Sequence, residues 1–80
     1  MTVRRTVTVY TRQGCHLCEE AIAVVRDVAG DRARIELIDI DSAPDLRERY
    51  TVRVPVVAVD GVEIAEYQVA AEQLEAVLAA

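Results

Sequence analysis

Two strand-like segments separated by one helical segment occupy the first 40 residues of this 80-residue chain. Residues 2–10 are rich in valine and threonine, which favour strands. Over residues 15–29 the apolar side chains recur at helical spacing, and Gly30 suits the end of a helix. Residues 33–40 carry apolar side chains on both faces, so we expect a buried strand there. A strand, a helix and a strand within so short a stretch predict a parallel βαβ unit.

The region after this unit predicts a short second helix. Pro44 fits the first helical turn, and either Asp41 or Ser42 would serve as the N-cap. We expect this helix to end near Tyr50.

The last third of the chain predicts a hairpin and a closing helix. We expect a strand at residues 52–59, a two-residue turn at Asp60-Gly61 and a returning strand at residues 62–65. Residues 70–79 form an amphipathic helix whose buried stripe consists of Leu74, Val77 and Leu78. The predicted order is β-α-β-α-β-β-α in one domain, residues 1–80. This α/β order is that of a thioredoxin-like fold, a four-stranded mixed sheet with helices on both faces.

The charge of the chain argues against two classes of partner. The net charge is -5, and the nine basic residues, all arginine, are scattered along the chain. Phosphate contacts need a positive surface, so we expect no nucleic-acid partner. No apolar run approaches about 20 residues, so we expect no membrane partner. Arg4-Arg5 is not followed by the apolar segment of an export signal, and we expect a cytoplasmic location, where thiols are normally reduced.

Both cysteines and the only histidine lie in the stretch "GCHLC", residues 14–18. A structural zinc site usually has four ligands, whereas Cys15, His16 and Cys18 supply three, so a carboxylate or a second subunit would have to complete it. The haem-attachment pattern places histidine after the second cysteine and does not match. The residue types and their spacing alone leave three alternatives: a metal or iron–sulfur site, a redox pair, or a pair of inert thiols.

The position of the pair favours redox chemistry. Cys15 would lie at a helix N-terminus, where unpaired N–H groups and the helix dipole stabilise a thiolate. Cys18 would lie one turn further in and be more shielded. We therefore expect Cys15 to attack and Cys18 to resolve. A protonated His16 would stabilise the thiolate further; otherwise it is an exposed residue of the first turn.

Nearly the whole chain resembles a glutaredoxin, through "VTVYTRQGCHLCEEA", "VRVPVVAVDG" and the closing helix. It is most similar to the short bacterial glutaredoxin-like proteins with a Gly-Cys-x-Leu-Cys-x-x-Ala motif. The resemblance implies a cis peptide bond at Val54-Pro55, which would offer the Val54 backbone to a substrate strand. It also places Arg12 where many glutaredoxins carry a lysine that meets the glycine carboxylate of glutathione.

Three departures from the glutaredoxin pattern bear on the substrate. His16-Leu17 replaces the usual Pro-Tyr, and Arg53 replaces the usual threonine before Val-Pro. Ala65-Glu66 stands in place of Gly-Gly, and Val69 stands where an aspartate would be. The added carboxylate and the lost acceptor both work against binding of the glutathione zwitterion.

These observations together predict a thiol–disulfide oxidoreductase of cell redox homeostasis and electron transport. It would reduce disulfide-containing proteins or mixed disulfides with low-molecular-weight thiols through its redox-active disulfide. We expect no bound cofactor and assign no metal ligand; the electron donor would be glutathione or a thioredoxin reductase. The alternatives are an iron–sulfur or metal-binding module and a scaffold with an inert thiol pair.

Overall fold

The chain folds into a four-stranded mixed sheet with helices on both faces. The computed structural model describes residues 4–79, so the first two residues of the expected strand 2–10 lie outside the described part. The elements in chain order are β1 (Arg5–Thr11), α1 (His16–Ala29), β2 (Ala33–Asp39), a 3₁₀ turn (Ile40–Ser42), α2 (Pro44–Tyr50), β3 (Val56–Val59), β4 (Val62–Glu66) and α3 (Ala71–Ala79). The predicted order of elements and the thioredoxin-like fold class are confirmed. Within residues 4–79, no helix combines the length and the apolar character that a membrane crossing requires.

The strands are arranged in the order β2-β1-β3-β4. β1 and β2 are parallel, as the βαβ prediction requires, whereas β3 runs antiparallel to both β1 and β4. Thr11 pairs with Asp39, and Tyr10 pairs with Val56. The end of β1, the end of β2 and the start of β3 therefore lie side by side at one end of the strands. We call this end of the sheet the site edge.

The main core lies on the face of the sheet covered by α1 and α3. Val7 and Val9 of β1, Val25 of α1 and Leu74 of α3 are all fully buried in it. Because side chains alternate along a strand, the odd-numbered valines of β1 point to this face. The same core holds α1 against the sheet, and α1 carries the cysteine pair at its start.

A smaller core lies on the opposite face, under α2. It consists of Ile40, Tyr50 and Val56, with Tyr10 of β1 packed against it. The rings of Tyr10 and Tyr50 stack with their centroids 4.3 Å apart. Burial, together with Tyr50, raises the pKa of the Tyr10 hydroxyl above its usual value. This cluster packs against the end of β1 and the start of β3, on the face of the sheet opposite α1.

Two details of the second strand and second helix differ from the prediction. β2 is an edge strand, and Leu37 in it is 43% exposed, so the expectation of a strand buried on both faces is wrong. α2 begins after Ala43, which makes no side-chain cap. The Ser42 hydroxyl donates instead to the Asp39 carbonyl at 2.6 Å, and Asp41 pairs with arginines, so neither is the N-cap.

The third strand is shorter than predicted, and the hairpin turn is as predicted. Residues 51–53 form a turn in which the Arg53 N–H donates to the Tyr50 carbonyl at 2.9 Å, so strand pairing begins only at Val56. Asp60 and Gly61 join β3 to β4 with φ values of 51° and 85°. These left-handed conformations are those of a tight hairpin turn with two positive φ angles.

Candidate functional site

The two cysteines form a disulfide at the junction of β1 and α1. β1 ends at Thr11, and Gly14 turns the chain with a φ of +75°, a value that side chains with a Cβ rarely adopt. Cys15 is the N-cap of α1 and keeps an extended backbone. The local sequence thus places one sulfur at the very start of the helix, at the site edge.

The two sulfurs differ in exposure and in hydrogen bonding. Cys18 is buried, with 1% of its surface exposed, whereas Cys15 is partly exposed. The Cys18 backbone N–H donates to the Cys15 Sγ at 3.1 Å. A backbone donor and the positive end of a helix dipole both favour a negative charge on this sulfur when the disulfide is reduced. The geometry therefore distinguishes a reactive sulfur from a shielded one.

His16 is the first residue of α1, and its side chain is 82% exposed. Its Nδ1 lies 3.9 Å from an oxygen of Glu19, and its Nε2 lies 3.8 Å from an oxygen of Glu20. The contacts of the ring are therefore with the two glutamates of the first helical turns. Its expected effect on the Cys15 thiolate stays a prediction.

The Val54-Pro55 peptide bond at the start of β3 is cis, as the resemblance implied. The Pro55 carbonyl accepts a hydrogen bond of 2.8 Å from the Tyr67 N–H. Among residues 4–79, by contrast, no hydrogen bond reaches the backbone N–H or carbonyl of Val54. The Val54 side chain packs on the smaller core, so the residue is anchored while its backbone groups are free to pair.

Arg12 lies in the loop before the cysteines and forms a two-pronged ion pair with Asp41. Its Nε and one terminal nitrogen each donate to a different carboxylate oxygen at 2.9 Å. Arg47 approaches the same carboxylate at 3.3 Å. The hydrogen bonds from Arg12 hold the pKa of Asp41 below its usual value. A substrate carboxylate at Arg12 would have to compete with Asp41, and the predicted binding role of Arg12 remains a prediction.

Two of the departures from the glutaredoxin pattern pair with each other. Arg53 donates to the Glu66 carboxylate at 2.9 Å and also bonds Glu63. Its guanidinium lies 5.2 Å from the ring centroid of Tyr50, whose hydroxyl donates to Glu63. Arg53 holds the pKa of Glu63 below its usual value. The extra carboxylate of Glu66 is therefore matched by the extra arginine. Arg53 lies just before β3 and Glu66 ends β4, so the two residues become neighbours only when these strands pair.

A groove of about 410 Å³ lies between the start of α1 and the start of α3. Sequence reasoning did not identify it, because its two walls are far apart in the chain. The lining residues are mostly apolar or uncharged: Leu17, Glu20, Ala21, Val24, Tyr67, Gln68, Val69, Ala70 and Gln73. Leu17 lies between the two cysteines in the chain, so the groove borders the cysteine motif.

The part of the chain that the structure describes contains no group of three or more histidine, cysteine, aspartate or glutamate side chains arranged to hold a metal ion.

The comparisons with known proteins agree with this geometry. The family model described as glutaredoxin-like domain (DUF836) matches residues 6–79. The chain is 34% identical to a Nitrosomonas europaea protein solved by NMR, with a TM-score of 0.79 and 96% of this chain and 94% of that one covered. An X. campestris protein solved by X-ray crystallography is 30% identical, with a TM-score of 0.77 and coverages of 91% and 95%.

A mutant thioredoxin from Halobacterium salinarum shares the fold, with 24% identity and a TM-score of 0.67 over 92% of this chain and 71% of that one. No curated protein matches the chain.

Proposed function

Since the chain belongs to the family of glutaredoxin-like domains (DUF836), whose model spans residues 6–79, we propose that it is a thiol–disulfide oxidoreductase. One observation carries the proposal: Cys15 and Cys18 form a disulfide at the start of α1, with one sulfur partly exposed and the other buried. A working pair must cycle between this disulfide and a dithiol. The glutaredoxin-like fold and the disulfide together support a redox function at these two residues.

The reaction starts from the reduced pair. The Cys15 thiolate attacks one sulfur of a substrate disulfide, which breaks that bond and releases one substrate thiolate to take a proton from water. A mixed disulfide then joins Cys15 to the other half of the substrate. The Cys18 thiolate attacks the Cys15 sulfur, closes the intramolecular disulfide and releases the second substrate thiolate. Two electrons have passed from the protein to the substrate.

The assignment of roles follows from access and charge. Cys15 is the partly exposed cysteine, and its Sγ accepts a hydrogen bond of 3.1 Å from the Cys18 N–H, so it is the better placed to react with another molecule. Cys18 is buried and is bonded to the Cys15 sulfur. A protonated His16 would add positive charge to the first turn of α1, the turn that follows Cys15.

The substrate would be a disulfide-containing protein or a mixed disulfide with a low-molecular-weight thiol. We propose that an extended segment of it pairs with the unbonded backbone of Val54, next to Pro55, as an added strand. Such pairing would hold the substrate disulfide at the site edge, where Cys15 lies. Backbone pairing tolerates many sequences, so selectivity must come from neighbouring side chains.

The electron donor would be glutathione or a thioredoxin reductase acting in the cytoplasm, with no cofactor bound to the protein itself. Two features work against the usual glutathione contacts. Arg12 is already paired with Asp41, and Val69, just before α3, stands where glutaredoxins have an aspartate. Feeding the oxidised protein glutathione alone, and then thioredoxin with its reductase, would identify the donor.

The proposal is tested by measuring catalysed reduction of bis(2-hydroxyethyl) disulfide with dithiothreitol as the reductant. Cys15→Ser should lower the rate to the uncatalysed background, because the one thiol that remains, Cys18, is buried. Ala23→Ser adds a hydroxyl at an exposed position of α1 and should leave the rate unchanged. A Cys15→Ser protein as active as the unmodified one would overturn the proposal.

A further inference from the structure

We propose that the groove between α1 and α3 binds an apolar side chain next to the disulfide of a protein substrate, and that Glu20 favours a cationic residue beside it. This inference rests on the proposed oxidoreductase function and names its substrate class: protein disulfides in extended segments that carry an apolar and a basic residue near the cysteine. The groove is about 410 Å³ in volume and opens beside Leu17, within the cysteine motif.

The lining of the groove suits an apolar side chain. Leu17, Ala21 and Val24 line the α1 wall together with Glu20. Val69 and Ala70 contribute to the other wall, beside the uncharged Gln68 and Gln73. Leu17 is itself partly exposed, so an occupant would remove its apolar surface from water. Burial of such surface is favourable by about 25 cal/mol per Å². A small thiol with several charges would gain little from these walls.

The charges around the groove favour a cation. Glu20 is the one charged residue that lines the groove among residues 4–79, and its side chain is 58% exposed. The His16 ring lies 3.8 Å from a Glu20 oxygen and is itself highly exposed. The arginines at the site edge have carboxylate partners already, Arg12 in Asp41 and Arg53 in Glu63 and Glu66. An incoming substrate therefore meets a local excess of negative charge.

The start of α3 does not reverse this preference. Helix N-termini carry a partial positive charge that attracts anions. α3 begins at Ala71 with Glu72 in its first turn, and this carboxylate offsets the helix charge. The charge of the whole chain, -5, acts in the same direction as Glu20.

The backbone geometry favours a peptide segment as the occupant. Tyr67, on the rim of the groove, donates its N–H to the Pro55 carbonyl at 2.8 Å. The groove is thus linked directly to the residue that follows Val54, whose own backbone groups are unbonded. A segment paired with Val54 would project alternate side chains, and one of them could enter the groove.

The test uses pre-reduced protein in single turnovers, so that no recycling reductant is needed. Three peptides carry a central cysteine joined by a disulfide to 5-thio-2-nitrobenzoate, whose release is followed by its colour. Their sequences are Lys-Leu-Cys-Leu-Lys, Glu-Leu-Cys-Leu-Glu and Lys-Ser-Cys-Ser-Lys, which are symmetric so that binding direction does not matter. The second-order rate constant should be about fivefold higher for the lysine than for the glutamate peptide, the size expected of an exposed charge pair. It should be about tenfold higher for leucine than for serine.

Two variants and salt then separate the contributions. Glu20→Gln should reduce the lysine-to-glutamate ratio by at least half, whereas Glu48→Gln, the same change on the exposed surface of α2, should leave it unchanged. About 1 M salt should remove most of the ratio. Leu17→Ser should reduce the leucine-to-serine ratio; because each ratio compares two peptides on one protein, a changed reactivity of the cysteines cancels.

Equal rates for all three peptides, with bis(2-hydroxyethyl) disulfide still reduced, would overturn this inference and leave the proposed function standing. A lysine-to-glutamate ratio that Glu20→Gln leaves intact would overturn the role of Glu20. A reduced protein that reacts with none of these disulfides would overturn the proposed function and this inference with it.

Discussion

Replacing Cys18 by serine isolates the Cys15 sulfur and allows its charge to be measured directly. The change removes the second thiol but keeps the residue 18 backbone N–H, which lies 3.1 Å from the Cys15 Sγ. The remaining sulfur still caps the N-terminus of α1. The structure therefore predicts that the variant holds a thiolate at neutral pH.

The size of the effect follows from the two contacts. A free cysteine is only about 3% thiolate at pH 7. The helix dipole contributes about 0.3–1 kcal/mol in favour of the charge, and a hydrogen bond to a charged group about 1.5–3 kcal/mol. Together these are about 2–4 kcal/mol, or roughly a 30- to 800-fold rise in the ratio of thiolate to thiol. Half or more of Cys15 should therefore be ionised at pH 7.

The thiolate fraction can be read from its ultraviolet absorbance as the pH of the reduced Cys18→Ser protein is lowered. The same protein unfolded in denaturant is the control, because it keeps the thiol and loses both contacts. If the folded protein showed only the few per cent of thiolate found in the unfolded one, the reasoning from the helix N-terminus would be wrong.

Three further predictions concern the supports of the site. Leu74→Ala should lower the free energy of unfolding by about 3–5 kcal/mol in denaturant melts, because the side chain is fully buried; a loss below about 1 kcal/mol would contradict its place in the core. Gly14→Ala should cost about 1–2 kcal/mol through its φ of +75° alone, since a Cβ there meets no atom within 4 Å; an unchanged melt would refute the strain. The depressed pKa of Asp41 means that its pair with Arg12 adds stability above the unfolded pKa, which is lost as the pH falls through the folded value. Asp41→Asn should therefore flatten the fall in stability below about pH 5, and an identical acid profile would show that the pair contributes nothing.

The elements that hold the cysteines could be predicted because their signals are local. The strand preference before Thr11, the helical spacing after Cys15 and the glycine at position 30 each act within a few residues. The Asp60-Gly61 turn is equally local, since two positive φ angles suit few other residue pairs. These segments place the two cysteines at a helix start without any tertiary contact.

The details that the sequence did not predict depend on partners distant in the chain. β2 reads as a buried strand, but its position at the sheet edge leaves Leu37 exposed. The sequence around Asp41 predicts a helix cap, but the Asp41 carboxylate instead accepts a hydrogen bond from Arg12, in the loop after β1. Local sequence preferences could not predict these contacts, because the residues involved become neighbours only through the pairing of the strands.

The groove and the Arg53–Glu66 pair were missed for the same reason. The walls of the groove belong to α1 and to the segment around α3, which are adjacent only after folding. Arg53 and Glu66 each depart from the glutaredoxin pattern, and the β3–β4 pairing brings them together. Two departures that carry opposite charges are thus a signal that sequence reasoning could use.

In the proposed reaction, Cys15 makes the covalent bond to the substrate and Cys18 resolves it. The most direct measurement is mass spectrometry with peptide mapping after the reduced Cys18→Ser and Cys15→Ser proteins react briefly with bis(2-hydroxyethyl) disulfide. We expect a stable mercaptoethanol adduct on Cys15 of the first variant, none on the second, and an unmodified intramolecular disulfide in the wild-type protein. An adduct that forms on Cys18 of the Cys15→Ser protein as fast as on Cys15 of the other variant would contradict the proposed reaction.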